Sequence, residues 1–173
     1  MFQDCCNLKK INLGKLDFSL STSFQGMFLF FMNLVDLDMT NFNTKNSKSF
    51  RSMFYGCTNI KKIDGFKFDS SKCEEIKCMF CGCGNITGID MINWDMSNFK
   101  SCSSGPINDL FSGCKKLSKI KISRNINAEA LKSVGEDHFY GIPKTGELIT
   151  SKKVECTIPL DRCLPQNWSR FKE

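Results

Sequence analysis

The sequence predicts an α/β repeat: a leucine-rich-repeat-like solenoid with one short strand and one short helix or 3₁₀ turn in each 26-residue coil. Three observations lead there. The dipeptide Met-Phe stands at Met1, Met27, Met53 and Met79, each 26 residues after the last. Leu110-Phe111 follows after 31 residues, the extra five matching the small-residue insert around "SCSSGP", and the degenerate His138-Phe139 follows after a further 28. When the copies are overlaid, column after column then holds one residue type. Periods of roughly 20 to 29 residues belong to stacked repeats, whose units bury their apolar sides only against each other.

Each copy justifies its own elements in order. A cysteine column comes first, Cys5, Cys57, Cys83 and Cys114, with Phe31 replacing it in the second copy. That replacement asks for apolar bulk, a role a free thiol fills well. Asn7, Asn33, Asn59 and Asn85 follow, as amides buried in a turn and bonded to the next coil's backbone. Leu8, Leu34, Ile60, Ile86 and Leu117 come next, then Ile11, Leu37, Ile63, Ile89 and Ile120. Two residues on stand Leu13, Met39, Gly65, Met91 and Ile122, so the segment alternates as a half-buried strand does. Large apolar residues then recur at Leu16, Phe42, Phe68 and Trp94, trailed by Asp17, Asn43, Asp69 and Asp95 as turn formers. The return segments, such as "STSFQGMF", open on hydroxyl residues and space Phe24, Met27 and Phe28 at i, i+3 and i+4, the pattern of a capped short helix or 3₁₀ turn. Five to six copies (starts 1, 27, 53, 79, 110 and 138) fill residues 1–142, and 143–173 are expected as a C-terminal cap.

The unit "MFYGCTNIKKID" (Met53–Asp64), closed by "FDSS" (Phe68–Ser71), resembles the BspA-like leucine-rich-repeat surface proteins with DUF285-type repeats. "LPQNWSRF" (Leu164–Phe171) is similar to the segment that ends such arrays. The resemblance implies surface display, adhesion and protein binding, and it brings no catalytic residues. It also marks departures, since the chain is Lys-richer than that family and opens on the first residue of a repeat. An end of that kind leaves an apolar face that further repeats or another chain would cover, so a fragment of a longer array is expected.

The totals exclude several classes. At 41% apolar and 24% charged the chain has the composition of a folded protein. The longest apolar run, "MFLFFM" from Met27 to Met32, falls well short of the ~20 residues that cross a bilayer, so no membrane insertion is expected. The start shows no basic segment followed by an apolar one, so no signal peptide is read there. Net charge is +6, with +1 on residues 1–109 and +5 on 110–173. Those basic residues are scattered and lack interleaved aromatics, which reads as solvated surface and against nucleic acid. Neither a glycine-rich phosphate loop nor a nucleophile–base pair is visible. The single His138 stands in the methionine column and reads as packed. No cofactor is expected, and the chain is read as non-enzymatic.

"CMFCGCGN" (Cys78–Asn85) looks like chemistry, because Cys78 and Cys81 make a C-x-x-C. Yet Cys83 belongs to the cysteine column, and Cys78 stands where other copies have Gly26 and Ser52. A cysteine-based metal or redox protein using Cys73, Cys78, Cys81 and Cys102 is the alternative reading, although a structural zinc site usually shows two such pairs or histidines. Cys156 with Cys163, and Cys5 with Cys6, are the better candidates for disulfides in an oxidising compartment. Asn167-Trp168-Ser169 is a glycan acceptor only in a secreted chain; the other sequon, at Asn85, is an unlikely one. The outward strand positions carry the functional expectation: Lys10, Asp36, Lys62 and Lys119 in one row, Asp38, Asp64, Asp90 and Lys121 in the next. Three stacked aspartates repel, so a lysine, a cation or a partner must offset them. A protein partner on this face is the expectation, with cell-surface location implied by the resemblance and an intracellular repeat scaffold as a further alternative.

Overall fold

The computed structural model describes residues 6–13, 16–39, 42–64, 68–100, 107, 109–123, 125, 139–150 and 165–172, with Asp64 described by its backbone alone. Strands form where the apolar alternation predicts them in the second to fifth copies; in the first copy Ile11 and Leu13 lie outside any strand, and two further strands form beyond the columns. The strands are β1 (Asp36–Asp38), β2 (Lys62–Asp64), β3 (Gly88–Met91), β4 (Lys119–Ile122), β5 (Gly146–Thr150) and β6 (Trp168–Lys172). All pairings are parallel and advance one copy at a time, Leu37 opposite Ile63, and Ile89 opposite Ile120 opposite Leu148. Leu37, Ile89, Ile120 and Leu148 are buried while Asp36, Asp38 and Asp90 face solvent, the division that period-two alternation dictates. The strands make two sheets, β1-β2 and β3-β4-β5-β6. Residues 143–173, expected as a cap, supply β5 and β6, which extend the second sheet by two strands.

The return segments correct the helix expectation. They are turns, and the described residues contain no α-helix. Alternate N–H groups serve two directions. Met27, Leu29 and Phe31 donate back three residues, to Phe24, Gly26 and Phe28, at 3.2, 3.1 and 3.2 Å. Gly26, Phe28 and Phe30 donate across to the next copy, to Arg51, Met53 and Tyr55, at 2.9, 2.9 and 2.8 Å. A helix would spend all of these donors internally; here half of them tie one copy to the next. The alternation requires left-handed backbone every fourth residue, at Gly26 and Phe30, Ser52 and Gly56, Cys78 and Gly82, Asp109 and Gly113. Glycine fills the second of each pair from Gly56 onward because an L side chain is strained there.

Between strands and turns the core is columnar. Phe28, Phe54, Phe80, Phe111 and Phe139 stack with centroids 5.5, 5.7, 6.1 and 5.8 Å apart. Phe42, Phe68 and Trp94 form a second stack at 6.0 and 5.6 Å. The polar turn after that column closes identically in four copies. Asp17, Asn43, Asp69 and Asp95 each accept the N–H two residues on, at 2.8, 3.2, 3.0 and 3.0 Å. His138, Cys5, Cys102, Cys156 and Cys163 lie outside the described residues.

Candidate functional site

The cysteine column is a packing device in the described copies. Cys57, Cys83 and Cys114 are fully buried, and their thiols donate to the carbonyls of Phe28, Phe54 and Phe80 at 3.0, 3.1 and 3.0 Å. Burial pushes Cys57 and Cys114 up to about 12 and raises Cys83 well above its ordinary value, so all three are protonated at neutral pH. The C-x-x-C is one of the turns: Cys81 N–H donates to Cys78 C=O at 3.2 Å, and Cys78 sits in the left-handed region. Burial raises both thiols, Cys81 to about 11, which opposes the thiolate that redox and metal chemistry need. Cys73 is buried separately and bonded to the carbonyl of Glu75 at 3.4 Å, and burial pushes it up to about 12. Among the described residues no three His, Cys, Asp or Glu side chains come together as a metal site.

The asparagine column corrects its expectation. Asn7 and Asn59 are exposed, and Asn33 and Asn85 are half-buried. Asn33 donates to Cys6 C=O and Asn85 to the Asn59 amide oxygen, both at 3.1 Å, so the amides link copies along the surface rather than inside. The turn spacing fixes their periodicity, but the side of the turn they face is not encoded in it.

The outward strand rows come together only in part. Asp36 opposes Lys62, and Asp38 opposes Asp64, whose side chain is not described. Asp90 meets Lys121 at 3.9 Å, the lysine that offsets the third aspartate. Lys119 meets Glu147 at 3.0 Å, a partner the sequence reading did not single out because Glu147 falls in the segment expected as a cap. Lys10 is exposed in the first copy, outside any strand.

The sheet changes between β2 and β3, and a cleft of about 820 Å³ opens there. Lys61, Lys62, Lys119 and Lys121 line it together with Asp69 and Asp90, over a floor that includes Ile63, Phe68, Ile89 and Trp94. Ile63 is half-buried, as is Ile11 in the first copy, whereas Leu37, Ile89 and Ile120 are exposed by only 1%, 6% and 0%. On the opposite side the same two copies stay bonded, Phe54 N–H to Met79 C=O at 2.9 Å and Gly56 N–H to Cys81 C=O at 2.8 Å. The opening is therefore a wedge confined to the strand face. Asp69 is held below its usual range by the Ser71 hydroxyl and N–H and stays anionic, committed to its own turn. The arrangement offers cationic groups around an apolar floor, with neither histidine nor cysteine among the described lining residues. The columns do not mark Lys61, Phe68 and Trp94 as site residues; the irregularity in the sequence nearby is Gly65, which has no side chain where Leu13, Met39, Met91 and Ile122 stand in the other copies.

No helix among the described residues is long and apolar enough to cross a membrane. Neither the curated proteins nor the solved structures contain a match to the chain. The family model described as "Mycoplasma protein of unknown function, DUF285" matches residues 1–123, most of the chain, and the protein belongs to the DUF285 family.

Proposed function

We propose that this chain is a non-enzymatic protein-recognition or adhesion module, a leucine-rich-repeat-like solenoid of the BspA-like surface type that binds a protein partner through its strand face. The observation that carries the reading is the wedge between β2 and β3. It opens on the face where outward side chains are charged, while the turn side is consumed by copy-to-copy hydrogen bonds. Repeat stacks use such strand faces as extended binding surfaces. Burial raises Cys73, Cys78 and Cys81, the described members of the cysteine-based alternative, which favours recognition over it.

The test immobilises the native chain and two variants and identifies retained proteins by mass spectrometry. One variant reverses strand-face charges (Asp36→Lys, Asp38→Lys, Lys119→Glu); the other reverses turn-side charges (Arg51→Glu, Lys100→Glu). Proteins held by the native chain and the turn-side variant, and released by the strand-face variant, support the reading. Retention unaffected by the strand-face changes overturns it.

A further inference from the structure

We propose that the cleft between β2 and β3 seats an extended acidic peptide segment carrying an apolar side chain. The inference rests on the strand-face reading and names the partner chemistry that face takes. Three independent features point to this occupant.

The first is backbone. β2 ends one sheet and β3 begins the other, so two parallel sheet edges face the same opening. Exposed edges recruit extended chains, which add main-chain hydrogen bonds to whatever the side chains supply. The second is charge. Among the described side chains four lysines, Lys61, Lys62, Lys119 and Lys121, line the opening with Asp69 and Asp90; Asp69 is held by Ser71, Asp90 lies beside Lys121 and Lys119 is paired with Glu147, which leaves the described opening net positive. A basic opening selects an anionic partner and repels a cationic one. The third is shape. The cleft holds about 820 Å³ and is floored by Phe68, Trp94 and the half-buried Ile63. It lies within the roughly 300–1,000 Å³ of ligand-binding clefts. Three extended residues span about 10 Å, the length of β2 itself, so a segment of that size lays one apolar side chain on the floor and acidic ones at the rim.

Gly88 provides the decisive variant. It lines the cleft, and a Cβ added there meets only Lys119 backbone and Cβ atoms at ordinary distances of 3.7 and 3.8 Å. Gly88→Glu therefore starts an acidic side chain beside the lysines at a position with room for its Cβ. The probe is the blocked peptide Glu-Leu-Glu-Phe-Glu, titrated calorimetrically into the full chain, with tryptophan emission recorded in parallel. We expect saturable binding that weakens with added salt, shifts tryptophan emission, and falls by about tenfold or more in Gly88→Glu and in Lys61→Glu/Lys119→Glu. The counterpart with lysine for glutamate is expected not to bind, and serine for leucine and phenylalanine to weaken binding similarly. The thermal midpoint of each variant is measured alongside; if Gly88→Glu does not fold, the lysine pair decides.

Absence of binding, or binding that both folded variants leave unchanged, overturns the proposal. So does equal affinity for a single-stranded oligonucleotide, which would make the cleft a general polyanion site. If the peptide fails while the strand-face charge variant still releases retained proteins, the cleft inference falls and the broader reading stands. If those proteins stay bound to the strand-face variant, the broader reading falls whatever the peptide does.

Discussion

Cys78 and Gly82 lie four residues apart in one turn, both with positive φ, 56° and 76°. Only one of them is a residue suited to that backbone. Gly82→Ala adds an L side chain in the left-handed region, 3.4 Å from the Gly56 backbone, and is expected to cost about 1–2 kcal/mol. Cys78→Gly does the reverse: it relieves the strained position, and stability is expected to stay level or rise by up to about 1 kcal/mol. Thermal melts of both variants check the pair of signs. Loss of stability in Cys78→Gly would show that the thiol has a bonding role which the turn geometry does not provide. At this scale the sequence was legible where columns repeat: Phe31 in the cysteine column already read those thiols as packing. It was not legible where a residue's side of the turn decides its role. The asparagines were expected inside because their spacing matches the buried columns, yet spacing along the chain is the same for both sides of a turn.

Strands and turns show the same split between what periodicity encodes and what it leaves open. The strand positions follow from apolar alternation, and β1 to β4 fall where the columns place them. The spacing of Phe24, Met27 and Phe28 predicts a helix or 3₁₀ turn in the return segments. Successive turns with donors alternating between i−3 and the next copy produce the same apolar spacing, so the pattern does not separate the two. The left-handed glycine column is the residue-level trace of the difference. The packed thiols give these elements a pH signature. Cys57, Cys73 and Cys114 are raised by burial from an ordinary 9.0 to about 12. Between those values the unfolded chain has lost protons that the folded chain keeps. Their contribution is therefore fully present below about pH 9 and is lost as pH rises, by about 1.4 kcal/mol per thiol for each pH unit. Denaturant midpoints measured from pH 7 to 11 under reducing conditions are expected to hold to about 9 and then drop steeply. A flat profile through pH 11 would mean that these thiols are not buried in the folded chain.

Across the whole molecule, the phenylalanine stack runs from Phe28 to Phe139 while the strand ladder divides between β2 and β3. One side of the molecule is continuous and the other is open. The repeat predicts the continuity, since every copy supplies the same rung. It does not announce the opening, which depends on how two neighbouring copies diverge; in the sequence Gly65 and Gly88 stand in columns otherwise filled by side chains. The strand-face charges are likewise legible as rows but not as contacts, because Lys119 finds Glu147 in a segment whose strand character the repeat frame does not reveal. On the proposed reading recognition belongs to this scale: the strand face, which opens between β2 and β3, is the one that would meet a partner. Hydrogen exchange of the full chain, with and without the Glu-Leu-Glu-Phe-Glu peptide, tests that most directly. The account predicts new protection at residues 61–64, 86–91 and 119–121, with the turn segments 24–31, 50–57 and 76–83 unchanged. Protection confined to those turn segments, with the strand face unchanged, would contradict it.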